Sequence, residues 1–304
     1  MTIVISVKTL FLQPGAGAGM KFNYRMILRL ALLWFLAAPC MTAAADELDD
    51  LIDRAMTGDH RNPEFVARDP YRHPQETLKF FGLQPEMTVV EIWPARGWYT
   101  EILAPVLRER GVYYAAGFAM TAKQTPDWQK EIQIEFAEKL RQRPDVYDHV
   151  VVTELAVPER TTIAPPGAVD MILTFRNVHN WMKGDYTQGM LETFFRTLKP
   201  GGVLGIVEHR AAPGTPVEQM VKSGYVTTEF VIALAEAIGF RFEEAAEINA
   251  NPMDSRNHPE GVWTLPPTLR ACNNMKTGSE RDTCMKKYIA IGESDRMTLR
   301  FRKP

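Results

Sequence analysis

Past residue 86 the chain alternates between two hydrophobic patterns. Short runs rich in β-branched and aromatic residues have the length of buried strands: residues 87–93, 112–118, 149–153, 168–175, 202–208, 240–248 and 296–301. Between them lie segments with apolar residues at helical spacing, as Ile102, Leu103, Val106 and Leu107 show within residues 97–109. Residues 127–141, 185–198 and 227–238 follow the same rule. The second of these stops at Lys199, Pro200, Gly201 and Gly202, a helix terminator followed by a turn. Strands alternating with helices predict an α/β fold, an open doubly wound and mostly parallel sheet covered on both faces. Ligands in such sheets bind beyond the carboxyl ends of the strands. The residues after Ile92, Ala116, Thr153, Phe175 and Val207 are therefore where chemistry is expected.

The earlier part of the chain is of a different kind. Residues 47–80 are polar and helix-forming but interrupted by Pro63, Pro70 and Pro74, which predicts an N-terminal helical extension over residues 46–86, ahead of an α/β domain over 87–304. Residues 1–45 contain Lys8, Lys21, Arg25 and Arg29 and no acidic residue. The remainder then holds 31 basic against 37 acidic residues, a net −6, although the whole chain is only −2. From Met20 a basic stretch (Lys21, Arg25, Arg29) precedes an apolar run over 30–38, and Ala43 and Ala45 form an Ala-x-Ala site before Asp46. This is the layout of a secretory signal peptide, with Met20 as an alternative start. The apolar run is about half of the roughly 20 residues a membrane-spanning helix requires. The expectation is an exported protein, periplasmic or secreted, with no stable membrane span in its mature part.

Composition narrows the rest. With 45% hydrophobic and 24% charged residues the chain is an ordinary globular protein rather than a disordered, collagenous or disulfide-dense one. The charge balance offers no basic face for nucleic acid. Past Ala45 only Cys272 and Cys284 remain, flanking a polar stretch that reads as a loop. In an oxidising compartment they are expected to pair, the alternative being two free thiols.

The candidate chemistry clusters at strand ends. Residues 175–181 read Phe-Arg-Asn-Val-His-Asn-Trp, too many polar side chains to be core, and Glu208, His209 and Arg210 end the next strand. His179 and His209 would face one crevice. A histidine there suits general-base work, because imidazole titrates near neutrality. His179, Glu208 and His209 are also the donor types of a metal site, although no close-spaced ligand motif accompanies them. The run from Asn249 to His258 reads as a lid, a substrate loop or a plain loop, and Glu293, Ser294, Asp295 and Arg296 as a turn with an ion pair.

The first strand ends Glu91-Ile-Trp-Pro-Ala-Arg-Gly97 before a helix. An acid followed by a tight small-residue turn resembles motif I of the class I S-adenosylmethionine-dependent methyltransferases. The turn at Lys199–Gly202 and the strand around Asp170 fit the same family. Finer wording, EIWP, TFRNVHNW and IGESDRMTLRF, resembles a bacterial subfamily of often exported methyltransferases. The resemblance covers roughly residues 74–304. It implies a Rossmann-like sheet of seven strands, the last inserted antiparallel. It also implies S-adenosyl-L-methionine as cofactor and methyl transfer to a small-molecule acceptor. It assigns Glu91, Trp93, Ala95 and Gly97 to the cofactor turn, and Gly117 and Phe118 to the adenosine side. Glu154 would face the adenine amine, Arg176 and Asn177 would flank the transferable methyl, and His179 and His209 would be catalytic. The chain departs from the family in two places. Of three expected glycines only Gly97 is present, with Trp93 and Ala95 at the others, and no carboxylate ends the second strand to hold the ribose. A second reading is therefore an exported binding module, its pocket filled by Trp93, Trp98 and Phe118, or a metal-dependent enzyme on the same fold.

Overall fold

Side chains of successive strand residues point to opposite faces, and here both faces are apolar, which is why the strands read as continuous hydrophobic runs. In the first strand, β1 (Thr88–Ile92), Val89 joins one core layer while Val90 and Ile92 join the other. β4 (Val169–Phe175) divides in the same way, with Met171 and Leu173 on one face and Ile172 on the other. On one side the sheet is covered by the helices Thr187–Thr197 and Thr228–Ile238, through Met190, Phe194, Val231 and Ala235. On the other it is covered by Thr100–Leu107 and by the N-terminal helices, through Ile102, Leu103, Leu78 and Phe81.

This computed structural model describes residues 38–123 and 125–304. The basic and apolar stretches of the expected export signal, and Met20, lie outside the described residues. Residues 47–304 form one compact unit. The remaining strands are β2 (Val112–Phe118), β3 (Val150–Leu155), β5 (Leu198–His209), β6 (Arg241–Ala246) and β7 (Arg296–Arg302). The sheet order is β3-β2-β1-β4-β5-β7-β6. The first five strands of that order run parallel, and β7 lies antiparallel between β5 and β6. The predicted doubly wound, mostly parallel seven-stranded sheet is thus present, including its inserted last strand.

Several expected boundaries are corrected. The helix expected over 185–198 is present as Thr187–Thr197, and a further short helix, Val178–Lys183, precedes it, set apart where Asp185 takes a left-handed backbone at φ 56°. The expected turn at Lys199–Gly202 is absorbed into β5. Its register with β4 jumps between Val169 and Met171, and just past β7 the Lys303 carbonyl accepts from the Gly201 N–H while the Lys303 N–H donates to the Gly202 carbonyl. The polar stretch between the cysteines is not a plain loop, because a helix Ser279–Ile291 begins inside it. The Cys272–Cys284 disulfide ties that helix to the short helix Arg270–Asn273. In the extension the prolines begin helices rather than interrupting one: Pro63, Pro70 and Pro74 stand in the first turns of Pro63–Val66, Asp69–Arg72 and Pro74–Phe81. Proline is favoured there because the first helical N–H groups have no partner to lose. Among the described residues no helix is long and apolar enough to cross a membrane.

The extension is pinned by charge as well as by packing. Glu101, wholly buried in Thr100–Leu107, accepts hydrogen bonds from Arg61 Nε at 2.9 Å and from the Asn62 backbone, and it pairs with Lys139. Removing one member of a buried pair strands the other. Glu101→Ala is therefore expected to lower unfolding free energy by about 3 kcal/mol in urea denaturation. An effect below about 1 kcal/mol would show that Asp69, the other partner of Arg61, suffices alone.

Candidate functional site

Beyond β1 the chain turns sharply, and three alternate residues of the turn take left-handed backbone: Trp93 at φ 48°, Ala95 at 53° and Gly97 at 82°. For tryptophan and alanine this conformation costs about 1 kcal/mol or more each. Glycine alone adopts it freely. The turn therefore keeps the backbone shape that three glycines would take, with only one glycine in it. The Trp93 indole donates to the Leu155 carbonyl at 3.1 Å and packs on Phe118 with ring centroids 5.0 Å apart.

Two cavities meet at this turn and share Trp93, Phe118, Trp128, Gln129 and Asn180 as walls. The inner one, about 380 Å³, is bounded by Glu91, Ala95, Arg176, His179 and His209. The outer one, about 720 Å³, is largely apolar and runs along Leu155, Val157, Pro158 and Tyr186. Both fall in the size range of small-molecule sites.

Glu91 lies at the floor, buried, and accepts hydrogen bonds from the Tyr113 and Thr100 hydroxyls. Burial drives its carboxyl up to about 7, against the opposing pull of those hydroxyls and of Arg176. The chain leaves β4 through Arg176, itself left-handed at φ 62° and tied to β5 by its N–H bond to the Val207 carbonyl. Asn177 donates to the Ile92 carbonyl at 3.0 Å, locking the ends of β1 and β4 together.

This aims His179 at the end of β5. Its Nδ1 lies 2.9 Å from Glu208 Oε1, and the fully buried Glu208 also accepts from the His209 backbone N–H at 2.8 Å. With Glu208 ionised, His179 carries its proton on Nδ1 and presents Nε2 as an acceptor, a tautomer inferred from this partner. His209 stands 5.2 Å away between ring centroids, with its Nδ1 2.6 Å from Ser294 Oγ. Burial, then the proximity of His179 and of Arg176, holds His209 well below the usual histidine range, so it is neutral near pH 7.

The third wall is cationic. Arg68 and Arg72 come from the N-terminal extension and both pair with Glu293, at 2.6 and 3.1 Å. Arg296 backs the same carboxylate at 3.1 Å. Burial raises Glu293, but Arg72, Arg296, Arg176 and Arg68 together overcome this and hold it at about 2. Burial and its arginine neighbours lower Arg176 to about 10.

Of the residues singled out from sequence, Glu91, Trp93, Ala95, Phe118, Arg176, Asn177, His179 and His209 line the inner cavity. Gly97 completes the turn against Phe136. Two others are not at the cavities. Gly117 makes room for Gln133, whose Oε1 would lie 2.2 Å from an added Cβ and which accepts from the Phe118 N–H. Glu154 accepts from the Met120 N–H at 3.0 Å and faces Arg160, so its carboxylate is used on the loop that follows β2 and on Arg160. The run from Asn249 to His258 is a structural clasp instead of a lid. Asp254 is buried and accepts from Tyr225, His258 and the Asp295 N–H, while Asn249 bonds Thr77 and Thr298. The cavity cover comes from farther along, at Val262, Trp263, Pro266 and Pro267. Glu293, read as a turn residue, holds the arginines. Arg68 and Arg72 stand about one helical turn apart, a spacing that does not by itself mark them as part of that cluster.

His179, Glu208 and His209 place one potential ligand atom each within 4.8 Å of one another. His179 Nδ1 and Glu208 bond each other and His209 Nδ1 bonds Ser294, which leaves the two histidine Nε2 atoms as the nitrogens open to a metal. With Arg176 and Arg72 facing the same space, the field repels a cation. These residues fit a metal poorly.

No family profile and no curated protein matches the sequence. Solved structures do match in shape. The [4+2]-cyclase SpnF has a TM-score of 0.52 and 15% identity, over 82% of this chain and 86% of that one. A proposed sarcosine dimethylglycine methyltransferase from Galdieria sulphuraria has a TM-score of 0.51 and 12% identity, over 78% and 86%. A geranyl diphosphate methyltransferase solved with S-adenosylmethionine scores 0.47, with 12% identity over 83% and 95%. At such identities the likeness establishes the fold, which is the Rossmann-like methyltransferase fold. It does not establish the reaction, as the cyclase on the same fold illustrates.

The raised Glu91 carboxyl has a measurable consequence. Its folded value exceeds the unfolded one, so its contribution is fully present below about pH 4.5 and is lost as pH rises through 7. Relative to Glu91→Gln, the wild-type protein is expected to lose roughly 3 kcal/mol between pH 4.5 and 8. Equal pH slopes in urea denaturation of the two proteins would mean that Glu91 titrates normally.

Proposed function

We propose that this protein transfers a methyl group from S-adenosyl-L-methionine to a small-molecule acceptor. The observation that carries the reading is the turn at residues 93–97. Its left-handed backbone persists at Trp93 and Ala95 although neither residue favours it, and it opens onto a cavity. Backbone strain held at the mouth of a cavity points to a site that uses it. Bound S-adenosylmethionine would supply a methyl on a sulfonium sulfur, transferred as the bond to sulfur breaks with its electron pair and a bond to the acceptor forms.

The chain's own part is alignment and proton removal. The turn and the Glu91 carboxyl border the inner cavity, where an amino-acid moiety would lie. Phe118, Trp128 and Tyr186 give the outer cavity aromatic walls for a purine. No carboxylate ends β2, and Gln129 and Asn180, shared by both cavities, are polar side chains at their junction. His179, oriented by Glu208, is the base that takes a proton from an O–H or N–H acceptor onto Nε2. Neutral His209 beside it leaves that position free of a competing charge.

Export is part of the proposal. It rests on the leader pattern of residues 20–45, and a disulfide at Cys272–Cys284 suits an oxidising compartment. Terminal sequencing of protein recovered from cells is expected to begin at Asp46, and a retained leader contradicts export. For the reaction, isothermal titration should show S-adenosylmethionine and S-adenosylhomocysteine binding with Kd in the micromolar range. Glu91→Gln is expected to weaken both tenfold or more, about 1.4 kcal/mol. A folded protein that binds neither at millimolar ligand overturns the methyl-transfer reading.

A further inference from the structure

The inner cavity carries more positive charge than its own residues neutralise. Arg68, Arg72 and Arg176 stand on its wall, with Arg296 immediately behind. The carboxyl groups that answer them are Glu293 and Glu208, and Glu208 is already engaged by His179 and the His209 N–H. Asp295, the next acid along, pairs with Arg210 at 2.8 Å and faces away. Glu91, raised to about 7 by its burial, is only partly ionised near neutral pH.

The surplus is visible atom by atom. Arg72 is 2% exposed, and its Nη2 is buried with no hydrogen-bond partner. The Nη2 of Arg68 is in the same condition. Arg176 has neither a side-chain hydrogen bond nor an ion pair among the described residues, although it lies on the cavity wall. Buried guanidinium donors left unmade are costly, and burying an unpaired charge is more so. Guanidinium groups are also the side chains best shaped to grip a carboxylate or phosphate with two parallel bonds.

We propose that the inner cavity is an oxyanion site and that the molecule methylated there is an anion, bearing a carboxylate or phosphate group held by Arg176 with Arg72 and Arg68. The acceptor half of this rests on the methyl-transfer reading. The cofactor cannot itself neutralise the surplus. S-adenosylmethionine carries a sulfonium, an ammonium and a single carboxylate, so binding it adds one positive charge. Its carboxylate can occupy one guanidinium, but the compensating charge must come from the second substrate. The same field favours an anionic acceptor over a cationic amine, which the four arginines would repel.

The test is isothermal titration of the full chain saturated with S-adenosylhomocysteine, using inorganic phosphate and malonate as anion probes and uncharged malonamide as control. At least one anion is expected to bind with Kd of about 1 mM or tighter, and malonamide not at all. Arg176→Gln and Arg68→Gln should each weaken that binding tenfold or more, with far-ultraviolet circular dichroism confirming that they fold. The wild-type titration decides the matter even if a variant does not fold. No anion binding up to about 10 mM, or equal binding of malonamide, overturns the proposal. So does competition between malonate and S-adenosylhomocysteine, since the arginines would then be serving the cofactor's own carboxylate. Failure of S-adenosylhomocysteine to bind is a different result: it removes the methyl-transfer reading and the acceptor with it. Phosphate or malonate binding to the unliganded chain would still show the oxyanion site.

Discussion

Glu293 is the group on which the rest of the site depends. It is a buried carboxylate just before β7, gripped by Arg68 and Arg72 from the N-terminal extension and by Arg296 from β7 itself. A buried charge is tolerated only when paired, so these residues are committed to one arrangement. That arrangement brings the extension, the long connection between β6 and β7, and the sheet edge around a single cavity. It also leaves guanidinium nitrogens over. Three cations sharing one carboxylate make a cluster that is still positive, and two of them, Arg68 and Arg72, line the cavity.

The other side of the cavity is set by backbone. Trp93, Ala95 and Arg176 all take left-handed conformations at the carboxyl ends of adjacent strands. Asn177 bridges the two ends through the Ile92 carbonyl, and Arg176 N–H is held by Val207. Each of these non-glycine residues carries strain that the surrounding sheet over-determines. The benefit is placement: His179 arrives beside Glu208 and His209, and the turn at residues 93–97 stays open to the cavity instead of being covered by a side chain at Ala95.

Sequence patterns revealed the sheet well, because a strand buried on both faces and a helix with one apolar stripe differ in period. They revealed the strand-end residues for the same reason: once the strands are placed, Glu91, Arg176, His179 and His209 fall at their carboxyl ends. What stayed hidden was set by tertiary contact. The extension looked polar and detached, yet Leu78 and Phe81 enter the core and Arg68 and Arg72 enter the site. Nothing local distinguishes these arginines from solvated ones. Glu154 stands at a plausible strand end, but the loop that follows the neighbouring β2 offers it the Met120 N–H. The Asn249–His258 run was rich in polar side chains because it must satisfy buried backbone where β7 begins, and such a run looks the same as a ligand loop until its partners are known.

The central claim is that a strained turn and a cationic wall enclose one working cavity. A crystal structure of the chain grown with S-adenosylhomocysteine and malonate tests it most directly. The account predicts density for the cofactor product along the turn at residues 93–97, and for malonate against Arg176, in the same molecule. It is contradicted if the Trp93 indole and the arginine side chains close on each other and neither ligand occupies the cavity.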